Sequence, residues 1–270
     1  MTIKFEKHIQ VESTIIALDC LSQHIDLSKQ QLKMVMQNGA AWLENSHGIK
    51  RLRRAKKILS QGDKIHVYYD ADIQTSKPPE AKLISDEGDY SIWNKPNGMY
   101  SQGTKWGDHC AIYRYAQQNL NPQRQAFIVH RLDKAANGII ILAHKKTVAA
   151  KFSKMFEQRR INKIYKAEVE GCIENISLPY EIRNELDGKV AISEIISLEC
   201  DSEKQRTVVK INIKTGRKHQ IRRHLSGMGY PIVGDRLYGA KNIKEDLQLS
   251  SIELTFDCPI NDTPKIYHLN

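Results

Sequence analysis

Asp133 has the most chemically loaded surroundings in the chain. It follows His130-Arg131-Leu132 and is followed by Lys134, with Asn137-Gly138 leading into the apolar residues 139–143. A carboxylate in a loop just before a buried strand is held rigidly, which is what a catalytic carboxylate requires. A second cluster is Thr215-Gly216-Arg217-Lys218-His219-Gln220-Ile221-Arg222-Arg223-His224-Leu225. On a helix, Ile221 and Leu225 share one face, while His219 and Arg222, three apart, share another. That second face offers a basic pair to a carboxylate or a phosphate, and an arginine beside Asp133 favours its charged form. In the third cluster, Ile164-Tyr165-Lys166-Ala167-Glu168-Val169-Glu170-Gly171, a strand carries Tyr165. From a strand, such a ring can face a cleft and stack on an extruded base. The fourth is Lys95-Pro96-Asn97-Gly98, a turn pattern. Each has a plainer reading: a surface turn for Asp133, a basic surface helix, a core ring for Tyr165, a bare turn for Lys95.

The elements that would position these residues are legible in part. Tyr90 to Trp93, residues 138–143, 164–169 and 207–213 have strand patterns. Val148, Phe152, Met155 and Phe156 recur as on an amphipathic helix, and a helix is expected over residues 219–226. Such a mixture predicts an α+β domain built on a mixed, mainly antiparallel sheet. Upstream, residues 14–39 read as two helices, with Leu18, Leu21 and Ile25 on the first. The second opens on Ser28-x-x-Gln31, a capping-box pattern, carries Leu32, Val35 and Met36, and ends at Gly39. Strands are expected at residues 41–44 and 65–69. Between them lies KRLRRAKK, residues 50–57, with cations Lys50, Arg51, Arg53, Arg54, Lys56 and Lys57. Such a run is either a solvated face or a phosphate-backbone contact presented on a rigid unit. Residues 70–80, DADIQTSKPPE, read as a linker that lets the first domain move.

Composition sets the bounds. A chain of 270 residues, with 40% hydrophobic and 27% charged residues, is apolar enough to fold. No charge-free stretch approaches the ~20 residues of a membrane span, and the first ten residues contain no signal-like apolar segment. A cytoplasmic protein is expected. The net charge of +10 suits a polyanionic partner. Five widely spaced cysteines, without a C-x-x-C pair, suggest reduced thiols rather than a metal site or a disulfide framework.

Taken together, the HRLD block, the Y-x-A-x-V-x-G strand, G-R-x-H-Q-I-R-x-H-L and GYPIVGDRLYG at residues 229–239 resemble the RluA-type pseudouridine synthases, over roughly residues 88–260. Residues 14–70 resemble an S4-type RNA-binding domain through the helix–turn–helix pattern, Gln37-Asn38-Gly39-Ala40 and Gly62-Asp63. Asn45-Ser46-His47 stands where that family has Val-Asn-Gly. The resemblance implies an S4-like α/β domain over residues 1–72, a linker and entry segment over 73–87, and a catalytic domain over 88–270. It implies an isomerase that uses no cofactor and no metal, acting on ribosomal or transfer RNA. The uracil N1–C1′ bond breaks, the base turns, and C5 bonds to C1′. Asp133 matches the essential carboxylate, as nucleophile at the sugar or as base toward the C2′ proton. Arg222 matches its arginine partner, and Tyr165 the ring that stacks on the base. Arg131 matches a residue that displaces the base. His130, Arg217, His219, Gln220 and Lys95 complete the expected substrate-binding set, and the six cations of residues 50–57 the expected RNA contacts. One departure stands out. The family's Thr-Ser before the loop glycine is here Ala136-Asn137, of which only Asn137 keeps hydrogen-bonding capacity. A non-catalytic RNA-binding or ribosome-assembly factor on the same fold is the alternative. A glycosidase is a distant third, because it needs two carboxylates around the scissile bond. A monomer is expected.

Overall fold

The computed structural model describes residues 3–239 and 244–269, and these fall into two units. The first runs through Pro78 and also takes in Gln102–Tyr115, while the second comprises Pro79–Ser101 and Ala116–Asn270.

The first unit begins with β1 (Lys4–Gln10), β2 (Ile15–Ile16), α1 (Ala17–His24) and α2 (Lys29–Gln37). It continues through β3 (Ala41–Asn45), β4 (Gly48–Arg51), β5 (Ile58–Leu59), β6 (Lys64–Asp70) and α3 (Ala71–Thr75). The sheet order is β1-β6-β3-β4, with β2 and β5 paired separately. At the start of α2 the capping box forms as expected: Gln31 N donates to Ser28 Oγ at 3.2 Å, and Ser28 N to Gln31 Oε1 at 2.9 Å. Leu21, Leu32, Val35 and Met36 pack with Ile65 and Val67 in one core. Of the residues 70–80 expected to be a bare linker, 71–75 form α3. Asp70 caps α3 by accepting from Ile73 N at 3.2 Å, and residues from Lys82 onward form a strand. The two prolines between them masked both signals.

Gln102–Tyr115 belongs to the first unit although the sequence around it belongs to the second. Its Asp108 is fully buried and receives Arg51, at 3.2 Å from Nε, together with Arg53 and the Tyr113 hydroxyl. The chain therefore passes between the units three times, not once.

The second unit holds β7 (Lys82–Asp86), β8 (Tyr90–Lys95), β9 (Phe127–Ile128), β10 (Asn137–Ala143), α5 (Lys146–Glu157) and β11 (Asn162–Glu170), with α4 (Ile112–Asn119) leading into it. Then come β12 (Tyr180–Leu186), β13 (Lys189–Asp201), β14 (Arg206–Ile213), α6 (Gln220–Gly227), β15 (Leu249–Asp257) and β16 (Pro264–His268). The sheet runs β12-β13-β14-β11-β15-β10-β8-β7, with β16 on β15 and β9 on β10. Every pairing is antiparallel except β10 with β15. This is the expected mixed, mainly antiparallel α+β architecture. α5 lays Val148, Phe152 and Met155 onto Ile139, Ile141, Leu254 and Phe256. α6 packs against β12 and β13. The expectation of reduced thiols fails at one pair: Cys172, just after β11, is disulfide-bonded to Cys200 on β13. The two are 28 residues apart in sequence, so only the strand pairing brings their Cα atoms to 5.5 Å. Among the described residues no helix is long and apolar enough to cross a membrane.

Candidate active site

Asp133 sits in the loop between β9 and β10, and three neighbours fix that loop. Ser101 Oγ donates to Leu132 O at 2.7 Å and accepts from Leu132 N at 2.9 Å. Gly98 N donates to Lys134 O at 2.9 Å, so the turn after β8 braces the residue that follows Asp133. Lys95 is fully buried beneath the same loop. Its amine donates to the carbonyls of Ala136 (2.6 Å), Met99 (2.9 Å) and Pro96 (3.0 Å). Burial pushes that amine down to about 8, with the charge of Asp133 pulling it back up. Lys95 therefore supports the loop from below, its amine taken up by backbone carbonyls. The loop that carries the Ala136-Asn137 departure is the one Lys95 braces, through the Ala136 carbonyl. Among the described residues neither side chain makes a hydrogen bond there, and the loop is held through its backbone. Gly138 completes the arrangement: a Cβ there would lie 2.3 Å from Ser251 O, so β10 can approach β15 this closely only with glycine.

Arg222 projects from α6 and meets Asp133, Nη1 to Oδ2, at 3.4 Å. Its stronger attachment is to Asp235: Nε to Oδ2 and Nη2 to Oδ1, both at 2.7 Å, a bidentate pair. Burial alone would lower the guanidinium, but the hydrogen bonds and charge of Asp235, with Asp133 behind them, leave it above its ordinary value. Asp235 also accepts from Leu237 N at 3.0 Å and Tyr238 N at 3.1 Å. It follows Gly234, where a Cβ would lie 2.2 Å from Asp246 O. In the sequence Asp235 lies inside the GYPIVGDRLYG block, where nothing local marks it out. In sequence it is an ordinary turn residue, and its partner lies on another element.

Tyr165 projects from β11 and is buried. Burial lifts its hydroxyl far above the ordinary value, Ser251 pulls the other way, and the Asp133 charge adds to the rise. His219 caps α6 from a left-handed backbone, φ 53°. Its Nδ1 lies 3.0 Å from the Tyr238 hydroxyl and its Nε2 3.9 Å from Asp133 Oδ1. Asp133, Arg222, Tyr165 and His219 are thus brought together, and 27% of the Asp133 side chain remains exposed.

Other expected residues have different places. His130 turns inward: its Nε2 accepts from Ile141 N at 2.9 Å, and its ring lies against Phe156 at 4.7 Å. Burial, with the Lys163 charge, pushes it down to about 3, so this ring is a neutral structural acceptor. Gln220 is buried and spent on Thr215, Arg217 N, Ile192 O and Ser193. Arg217 Nε donates to Val190 O at 3.0 Å. Arg131, by contrast, is exposed and makes no hydrogen bond or ion pair among the described residues. In the first unit, Lys50, Arg54, Lys56 and Lys57 are exposed, whereas Arg51 and Arg53 are occupied by Asp108. Lys50, Arg54 and Lys57 line an open concavity of about 420 Å³ together with Asn45 and His47.

A family model described as RNA pseudouridylate synthase matches residues 89–227. The dual-specificity RNA pseudouridine synthase RluA of Vibrio parahaemolyticus is 32% identical, covering 67% of this chain and 79% of that protein. An uncharacterized RNA pseudouridine synthase of Aquifex aeolicus is 26% identical, covering 84% and 77% respectively. The tRNA pseudouridine synthase C of Vibrio parahaemolyticus is 30% identical, covering 60% and 75%. Among solved structures, human RNA pseudouridylate synthase domain containing 1 superposes with a TM-score of 0.57 at 20% identity, covering 72% of this chain and 86% of that one.

Proposed function

Because this chain belongs to the RNA pseudouridylate synthase family, we propose that it converts uridine to pseudouridine in structured RNA, ribosomal RNA first and transfer RNA second. The observation that carries the site assignment is the meeting of Asp133 with Arg222 at 3.4 Å, with Tyr165 and His219 beside them. Asp133 acts at the sugar, on C1′ or on the C2′ proton. Arg222, itself held by Asp235, orients the Asp133 carboxylate. Tyr165 lies under the uracil and stacks on it. The exposed Arg131 fills the space the base leaves, offsetting part of the few kcal/mol that eversion costs. The reaction rearranges one nucleoside without gaining or losing atoms, so this reading calls for no cofactor and no metal. The relative named tRNA pseudouridine synthase C supports transfer RNA as one class, and the dual specificity named for RluA supports more than one RNA substrate.

The test is a map of pseudouridines in total RNA from cells with and without the gene. A site that vanishes with the gene and returns with it is expected. An unchanged map in every RNA would leave the non-catalytic binding factor as the better reading.

The first unit serves in this reading as an S4-like module that holds the RNA backbone. The exposed Lys50, Arg54, Lys56 and Lys57 support it, and Arg51 and Arg53 brace the fold instead. Phosphate contacts add affinity without reading sequence, and each lost contact flattens the salt dependence by about 0.9 in log–log slope. Replacing Lys50, Arg54 and Lys57 by Ala is expected to lower the slope of log K against log salt by about 2 to 3. A slope equal to the parent's would remove that surface from the RNA interface. We place the protein in the cytoplasm, acting as a monomer.

A further inference from the structure

His219 stands out within the site because several independent features fix it. Its backbone is left-handed, a conformation that costs a side-chain-bearing residue on the order of 1 kcal/mol or more and persists where surrounding structure enforces it. Its ring meets Tyr238 edge to face, 74° between planes, and the Tyr238 hydroxyl is 3.0 Å from Nδ1. Tyr238 is fixed in turn by Asp235, through its N–H, and by Ser226 Oγ, which donates to its carbonyl at 2.8 Å. The opposite nitrogen, Nε2, faces Asp133 Oδ1 across 3.9 Å. That separation is too long for a direct hydrogen bond and suits a single oxygen bridging both.

We propose that His219 Nε2 and Asp133 Oδ1 together bind the 2′-hydroxyl of the target ribose, making this pair the element that restricts the enzyme to ribonucleotides. The inference rests on the pseudouridine synthase reading of the site. The ligand must be a group that accepts from one side and donates to the other. A phosphate accepts from His219 but is repelled by Asp133, whereas a hydroxyl does both. Within an internal nucleotide the 3′ and 5′ oxygens are esterified, so the 2′-hydroxyl is the one free hydroxyl of the sugar. Asp133 lies at that edge of the ring whether it addresses C1′ or the C2′ proton. The 2′-hydroxyl is also the group by which a protein distinguishes RNA from DNA.

The charge state of His219 agrees. The groups facing it are Asp133, Arg222, Lys218, Asp235 and the Tyr238 hydroxyl. Burial lowers its pKa first, Arg222 and Lys218 push the same way, and Asp133 and Asp235 oppose them, with a net position below 6.5. At neutral pH the ring is uncharged. We assign the tautomer in which Tyr238 donates to Nδ1 and the proton on Nε2 donates to the hydroxyl. In acid, the protonated ring pairs with Asp133 and competes with the ribose for it.

The experiment uses synthetic RNA stem-loops carrying the uridine identified by the gene-deletion map, with either uridine or 2′-deoxyuridine at that one position. The variant is His219→Asn, since Asn tolerates the left-handed backbone but is too short to reach. The parent is expected to lose about tenfold in kcat/KM on the deoxy substrate, the effect of one well-placed hydrogen bond. His219→Asn is expected to be slower on the ribo substrate and to treat both within about twofold, and His219→Gln, whose amide N–H reaches further, to recover part of the discrimination. If His219→Asn discriminates as strongly as the parent, or the parent does not discriminate, the proposal fails while the enzymatic reading stands. A parent inactive on both substrates overturns the two together. Should His219→Asn fail to fold by its circular dichroism melt, Tyr238→Phe carries the test: it removes the donor to Nδ1 and must reduce discrimination, and full discrimination in it overturns the proposal.

Discussion

Asp133→Asn is expected to abolish pseudouridine formation, by on the order of 10⁴-fold or more in kcat, while leaving the melting temperature and RNA affinity nearly unchanged. The geometry supports both halves. Asp133 is partly exposed and its bond to Arg222 is long, at 3.4 Å. Arg222 keeps its bidentate partner when Asp133 is neutralised, so the guanidinium is not left unpaired. The amide occupies the same space and leaves the Ser101 and Lys95 braces in place, because both act on backbone atoms. What is lost is the carboxylate that either role at the sugar requires. Single-turnover assays with tritium release from 5-tritiated uridine, run beside a thermal melt, separate the two effects. Parent-like activity in the variant would remove Asp133 from the mechanism.

Asp235→Asn is expected to behave in the opposite way, damaging stability and activity together. Asp235 and Arg222 are both buried, and Asp235 also fixes the N–H groups of Leu237 and Tyr238. Removing the bidentate member leaves the buried guanidinium with only the longer contact to Asp133, at a cost of about 3 kcal/mol. The pH dependence has a definite sign. Burial raises the Asp235 carboxyl, but the Arg222 hydrogen bonds and the two N–H donors outweigh it, so the folded value lies below 3.8. The unfolded chain then binds the proton more readily. The stabilisation is complete above the ordinary carboxyl range and is lost as pH falls through the folded value. Urea titrations should therefore show a large gap between parent and Asp235→Asn at pH 7 that narrows below about pH 4. A gap independent of pH would mean that Asp235 acts through packing rather than charge.

The contrast between these two aspartates shows what the sequence makes legible. Asp133 stands out because a local run, HRLD followed by an apolar strand, announces a rigid loop. Period-two and helical spacing place Tyr165 on a strand and Arg222 on a helix, while their roles in the site come only from the family resemblance. Asp235 has no local mark of importance, since its meaning comes from an arginine thirteen residues away that turns back to meet it. The same limit explains Lys95 and His130. Their types suggest solvent or substrate, but a cage of carbonyls around one and a backbone N–H opposite the other exist only in the folded chain. Arg51 and Arg53 look equivalent to their neighbours in KRLRRAKK until Asp108, 55 residues from Arg53, claims them. Among the elements, β1 was missed because its charged residues hide a single buried position, Ile9. β13 was missed because Ala191, Ile192 and Ser193 are buried in succession and break the alternation that marks a half-exposed strand.

The triple passage of the chain between its two units bears on how such a protein can change over evolutionary time. A module joined by one junction can be gained, lost or exchanged by a single recombination event. Here excision at Pro78 would strand Gln102–Tyr115, leaving Asp108 without the arginines that neutralise it. A single cut therefore cannot separate the front portion cleanly from the rest of the chain.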